Sequence, residues 1–278
     1  MNSRYKSQFK TLGPRAAQLI TELNERHRST FTLADVESIT GLSSVACRNL
    51  VHKAQQRGLL TRLKPGLYNL VPFQMGRASE YVDDPRLIAH ELVQPNRYYV
   101  SHGSAFEIHR MVAQPILTMH VSCTRRLRSQ TVGGYPFKFI HVHDSQVFGI
   151  KKHWVHEQQY VMVSDIERTI IDGLRHPALL GGITEIGKGL WMKQEAMNVQ
   201  RLVEYAKRLG VGAVVRRLGY LLELYELANA STLDDLRTLL TNTYQLLDPV
   251  LPNEGRHLSR WRLQLNVSPE ELSAVRFG

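Results

Sequence analysis

The stretch Thr32-Leu33-Ala34-Asp35-Val36-Glu37-Ser38-Ile39-Thr40-Gly41-Leu42-Ser43-Ser44-Val45-Ala46-Cys47-Arg48-Asn49-Leu50-Val51-His52-Lys53-Ala54-Gln55-Gln56-Arg57-Gly58 decides the fold. Thr32 is a good N-cap, and Asp35 sits three residues on, where a first-turn carboxylate is favoured. Leu33, Val36 and Ile39 give that helix one apolar stripe. Gly41 ends it, because glycine accepts the left-handed backbone a helix stop requires. Leu42 is an apolar plug in the turn. Ser43 or Ser44 caps the next helix, which runs to about Arg57 with Gly58 closing it. Its inward residues are Cys47, Leu50, Val51 and Ala54. Its outward face carries Ser44, Arg48, Asn49, His52, Lys53 and Gln56.

The neighbouring segments extend this pair. Gly13-Pro14 starts an earlier helix, with Pro14 where a missing N–H costs nothing, and Ala16, Leu19, Ile20 and Leu23 follow at helical spacing. The polar run Arg26-His27-Arg28-Ser29 breaks it. Beyond Gly58, the runs Leu59–Leu63 and Leu67–Val71 read as strands joined by Lys64-Pro65-Gly66, a turn signal. The order is helix, helix, tight turn, helix, hairpin: a winged helix-turn-helix, whose last helix fits a DNA major groove.

Charge supports that reading. The chain of 278 residues carries a formal net charge of +10, and residues 1–73 hold 11 Lys and Arg against 4 Asp and Glu, leaving 24 against 21 for the rest. A basic quarter of the chain is where a phosphate-binding surface belongs. Arg48 suits a bidentate contact with guanine and Asn49 one with adenine. Ser43, Ser44, His52 and Lys53 are expected to hold phosphates, and Arg62 and Lys64 of the wing to lie along the adjacent backbone or minor groove. Small three-helix domains with a hairpin also serve as protein-binding modules. The basic excess, the near absence of acids between Ser38 and Val71, and the basic wing favour double-stranded DNA.

The expected fold class is α+β: the winged helix at residues 1–73, a linker at 74–84, and a larger mixed α/β domain at 85–278 with a helix-rich C-terminal half. Helices are expected near 85–92, 101–110, 165–175, 183–193, 199–209, 213–227 and 233–246. Strands are expected at 98–100, 116–122, 136–142, 147–152, 159–163 and 261–266. There is no run of about eighteen apolar residues, so no membrane span is expected. No apolar segment follows Met1–Lys6, so no secretory leader is expected. Cys47 and Cys123 form neither a metal spacing nor a disulfide framework, which fits the cytoplasm.

Several constellations outside the helix-turn-helix invite chemistry. His141 and His143 share one face of a strand end beside Asp144, but no zinc spacing is met. Ser164 and Glu167 read as a capping box, and Asp165 and Glu167, two apart on a helix, do not share a face as a carboxylate pair would need. Arg216-Arg217 and Arg125-Arg126-x-Arg128 are basic clusters, either solvated faces or a second phosphate-contacting surface. No catalytic residue, metal site or cofactor is assigned, so the chain is not expected to be an enzyme. The alternative is a DNA-binding module fused to a nuclease-like domain.

The chain also carries a family resemblance. The segment ending in Gly66-Leu67-Tyr68-Asn69-Leu70-Val71-Pro72 resembles the start of AbiEi-type antitoxins of type IV toxin–antitoxin (abortive infection) systems. Tyr98-Tyr99-Val100-Ser101-x-x-Ser104-Ala105 and Val163-Ser164-Asp165-x-Glu167-Arg168-Thr169-x-x-Asp172 are further matches. So are Arg217-Leu218-Gly219-Tyr220-Leu221-Leu222-Glu223 and Trp261-x-Leu263-x-x-Asn266. His102 and Phe106 depart from the family pattern, where small or apolar residues are commoner. The resemblance implies autorepression through inverted repeats in the chain's own promoter. It also implies neutralisation of a toxin with a nucleotidyltransferase fold, with or without a stable complex. The protein would be a monomer in solution or assemble cooperatively on DNA.

Overall fold

A computed structural model describes residues 10–112, 114–156 and 158–276; the leader reading of Met1–Lys6 lies outside the described residues. In chain order the elements are α1 (Pro14–Glu25), β1 (Thr30–Thr32), α2 (Leu33–Thr40), α3 (Ser44–Gln56), β2 (Leu60–Lys64), β3 (Leu67–Leu70) and α4 (Pro85–Val93). There follow β4 (Tyr98–Val100), α5 (His102–Ile108), β5 (Met119–Cys123), β6 (Gln130–Val132), β7 (Tyr135–His141), β8 (Ile150–His156) and β9 (Gln159–Ser164). The helical half holds α6 (Ile166–Arg175), α7 (Ile183–Met192), α8 (Val199–Leu209), α9 (Gly212–Leu224) and α10 (Ala230–Arg237). Three short strands, β10 (Gln245–Leu246), β11 (Arg256–Leu258) and β12 (Leu263–Leu265), precede α11 (Pro269–Ser273).

Two compact units emerge, and they do not follow the boundaries expected from sequence. The first reaches Pro95 and also takes residues 129–137 and 153–161; the second comprises 96–128, 138–152 and 162–278. Strands β7, β8 and β9 each pass from one unit to the other along the chain. The expected linker at 74–84 is tied down. The Tyr81 N–H donates to Thr61 Oγ1 at 2.7 Å, and the Asp83 N–H donates to Asn69 Oδ1 at 2.8 Å. Arg28 then pairs with Glu91 of α4 at 2.9 Å. Polar composition looks like a linker in sequence, but here the polar groups are partners for sheet side chains and backbone.

In the first unit α1, α2 and α3 pack on a three-stranded sheet of order β1-β3-β2, antiparallel throughout. Its core is Leu19, Ile20, Leu23, Phe31, Val36, Cys47, Val51, Ala54, Leu59, Leu60, Tyr68 and Leu70. Residues 14–70 of this unit form a winged helix-turn-helix, with β2 and β3 as the wing. The expected hairpin is present; β1, pairing Thr30 with Asn69, completes its sheet.

The larger sheet has the strand order β6-β7-β5-β4-β9-β8, and within the second unit β4 runs parallel to β9 at Val100–Val163 and antiparallel to β5. Helices α6 to α9 build one apolar core around Ile170, Leu174, Ile186, Leu202, Leu218 and Trp261. Asp165, not Ser164, caps α6, accepting from the Arg168 N–H at 2.7 Å. Ser164 Oγ instead donates to Val100 O, and Glu167 accepts from the Asn198 N–H, so the expected capping box is not formed. The helix expected over 233–246 stops at Arg237, and Gln245–Leu246 forms β10 alongside β12.

His102 is enclosed, with its ring 5.5 Å from that of His176 and 6.3 Å from that of His120. His102 Nε2 and His120 Nδ1 are buried with no hydrogen-bond partner among the described residues. Burial, reinforced by His176, His120, Arg168 and Arg175, holds His102 well below its ordinary 6.5. Burial, with Lys138, pushes His120 down to about 4; burial, with Arg175, Arg217 and Lys138, does the same to His176. These groups stay neutral in the fold but take protons once unfolded, so stability is full above about pH 6.5 and falls as pH drops toward 4. Denaturant unfolding should show lower stability at pH 5.5 than at pH 7.5, with His120 contributing roughly 1 kcal/mol of the difference. His120→Gln should remove its share of that dependence. A pH profile unaltered in the variant would refute the assignment.

Candidate nucleic-acid interface

The turn between α2 and α3 is fixed from both sides. Thr32 and Asp35 form a reciprocal capping box on α2. Gly41, at φ +65°, donates its N–H to Glu37 O at 2.9 Å. Thr40 Oγ1 donates to Val36 O at 2.7 Å, and Cys47 Sγ reaches back to Leu42 O at 3.5 Å. Ser43 is the N-cap of α3, with its hydroxyl accepting from the Ala46 N–H at 3.5 Å. Cys47 is thus a small core residue that also ties the turn. One face of α3, through Cys47, Val51 and Ala54, is buried, which presents the opposite face outward.

Every expected contact residue of α3 lies on that outer face. Ser43, Ser44, Arg48, Asn49, His52 and Lys53 are exposed, as is Arg62 on β2. Lys64 is half-buried at a bulge in the wing, and burial lowers its pKa from the ordinary lysine value. Its hairpin turns through Gly66 at φ +81°. Among the described residues Arg48 and Asn49 have no side-chain hydrogen-bond partner, whereas two of the polar neighbours are engaged. Ser44 Oγ donates to Glu37 Oε1, and His52 Nε2 lies 3.0 Å from Gln56 Nε2. The carboxylate beside Ser44 was not visible from spacing alone, since Glu37 and Ser44 belong to different helices. Sequence reasoning also passed over Val45, which is 66% exposed on the first turn of α3.

The other basic clusters separate. Arg125, Arg126 and Arg128 are exposed. Arg216 and Arg217 are only 2% and 4% exposed, so they offer no phosphate surface. Arg216 donates to the carbonyls of Thr241 and Thr243, both at 3.0 Å. Arg217 donates to the carbonyls of Leu174, Leu246 and Leu247 at 2.7, 3.1 and 2.9 Å. Burial lowers Arg217 to about 10, which leaves it charged at neutral pH. These guanidiniums staple backbone that helix and strand leave unpaired. His141 and His143 pack edge to face at 5.5 Å. Among the described residues no three His, Cys, Asp or Glu side chains converge as a metal site, and no helix is long and apolar enough to cross a membrane.

Comparison with known proteins agrees with this geometry. Residues 18–71 match the profile of a family described as "Transcriptional regulator, AbiEi antitoxin". The match spans α1 through β3, the segment that contains the whole candidate interface. No curated protein matches the chain. The fold is similar along nearly its full length to the crystal structure of the RV2827C protein from Mycobacterium tuberculosis. That likeness has a TM-score of 0.69 at 13% identity and covers 99% of this chain and 98% of that one. The profile, the winged helix and the outward α3 coincide on one segment, residues 18–71, which is similar to the AbiEi antitoxin transcriptional regulators.

Proposed function

We propose that this chain is a sequence-specific DNA-binding autorepressor and antitoxin that works in the cytoplasm without catalysis or cofactor. The observation that carries the reading is the outer face of α3. Arg48, Asn49, His52 and Lys53 stand exposed there, in a segment with no carboxylate between Ser38 and Val71. Arg48 reads guanine and Asn49 adenine in the major groove, while Ser43, Lys53, Arg62 and Lys64 hold the phosphates. Ser44 reaches a phosphate only by releasing Glu37. His52 does so alongside Gln56. The second half of the reading is a toxin of nucleotidyltransferase type, countered by the larger part of the chain. The family description of residues 18–71, which names an antitoxin, supports the antitoxin role.

Arg48→Ala is expected to weaken operator binding by about 1–3 kcal/mol and to relax selectivity at one base pair. A gel shift against the promoter duplex at fixed salt, with scrambled competitor, reads both. Unchanged affinity removes Arg48 from the base-reading set. The same variant should lose repression in cells yet still rescue growth from a co-expressed toxin of nucleotidyltransferase type. A point variant is the right tool. Deleting residues 1–73 would strip Tyr81, Asp83 and Glu91 of the partners that hold 76–95 in place.

A further inference from the structure

Val45 is, among the described residues, the most exposed large apolar side chain of its unit, at 66%. It stands apart from the core that Cys47, Val51 and Ala54 of the same helix enter. A β-branched residue is a poor choice for an exposed helical position, so neither helix formation nor packing accounts for it. Single exposed apolar residues are common on proteins; the position of this one is what distinguishes it. Val45, Arg48, Asn49 and His52 fall at i, i+3, i+4 and i+7, one continuous stripe along α3. In helix-turn-helix proteins the N-terminal residues of this helix meet base edges. The adjacent hydroxyl of Ser44 is already donated to Glu37. Among base edges in the major groove, the one apolar feature is the thymine 5-methyl group.

We propose that Val45 reads a thymine: its two methyl groups pack against the 5-methyl of a base in the operator, next to the pairs met by Arg48 and Asn49. The inference rests on the DNA-binding reading and deepens it by naming a base and a chemical group. The preferred half-site then contains a thymine whose methyl, rather than its hydrogen-bonding pattern, is required.

The test replaces that methyl alone. Duplexes are selected from a random library by the full-length wild-type chain, and each consensus thymine is exchanged in turn for deoxyuridine, which pairs identically. Burying one methyl is worth about fourfold in affinity. At one thymine per half-site the wild type should lose about that factor. Val45→Ala should bind the thymine duplex about fourfold more weakly and be indifferent to uracil at that position. Arg48→Ala should remain sensitive to it. Val45→Ala removes no core contact, so its unfolding midpoint should match or exceed the wild type and folding does not confound the result. The proposal is overturned if no thymine responds to loss of its methyl, or if Val45→Ala keeps the response. It is also overturned if Val45→Ala binds DNA normally and fails only in toxin rescue, which places Val45 against a protein. A selection that yields no consensus overturns the DNA reading itself, a separate and recognisable failure.

Discussion

Gly219→Ala is expected to lose at least about 3 kcal/mol of stability, enough to leave much of the chain unfolded at physiological temperature. A Cβ at Gly219 would lie 2.0 Å from Trp261 Cζ3 and 2.3 Å from Trp261 Cη2. The indole is fully buried and cannot swing aside, because its N–H donates to Glu223 Oε2 at 2.6 Å and Glu223 is held by Arg260 at 2.7 Å. The sign of the effect discriminates sharply. Gly219 lies inside α9, where helix propensity alone makes alanine better than glycine by about 1 kcal/mol. A stabilised variant would therefore mean that Trp261 does not rest on the helix. The destabilised outcome should be relieved by Trp261→Leu in the same chain, which vacates the volume, and the coupling between the two sites should be large. Thermal and denaturant unfolding followed by far-UV circular dichroism reads all three chains.

That contact also shows what the sequence could and could not reveal. Capping residues and 3.6-residue spacing are local, and Pro14, Thr32, Asp35, Gly41 and Ser43 mark the ends of α1, α2 and α3 as expected. The approximate spans of the helices from α6 to α9 were likewise expected, although Asp165 rather than Ser164 caps α6. Strand β1 was missed because three residues carry no alternation; Thr30–Thr32 is a strand only because β3 pairs with it some forty residues later. The chain from 238 to 246 looks helical in composition, but Arg216 draws the carbonyls of Thr241 and Thr243 to itself and the segment ends as a strand beside β12. Arg216 and Arg217 read as surface charges because spacing says nothing of depth. Within the candidate interface, helical spacing was enough to place Arg48, Asn49 and Lys53 on the outer face of α3. Glu37 was invisible because its partner lies across the turn, and Val45 because an apolar residue in a helix is taken first for core.

The stretches that carry the family resemblance outside the winged helix prove to be partners in space. Gly219 and Glu223 of one stretch hold Trp261 of another. Tyr99 and Val100 meet Arg168 and Val163 in the same way. Loose motifs, scattered through the sequence, pair up in the second unit as two buried contacts. His102, which departs from the family pattern, adopts φ +47° beside the second of these contacts, with its Nδ1 2.9 Å from Ser101 Oγ.

Arg168→Met is expected to cost about 3–5 kcal/mol at neutral pH, the usual penalty for removing one member of a buried ion pair. Arg168 is wholly enclosed; its Nη2 lies 2.9 Å from Asp172 Oδ1 and donates to the Tyr99 hydroxyl at 2.7 Å. Its guanidinium also sits 4.2 Å from the centre of the Phe148 ring. Burial lifts the Asp172 carboxyl above its ordinary range even with the arginine beside it. Without Arg168, Asp172 must either ionise unpaired or hold a proton. A carboxyl whose folded pKa is raised above the unfolded value burdens the fold above that folded pKa and is relieved below it. The deficit of Arg168→Met relative to wild type should accordingly shrink as pH is lowered toward 5. Arg168→Met with Asp172→Leu, which removes the orphaned charge, should be more stable than Arg168→Met alone at pH 7. Denaturant midpoints at several pH values decide the matter. A deficit that is constant with pH, or a double variant worse than the single, would mean that the arginine acts through its stacking on Phe148 and not through the charge it neutralises.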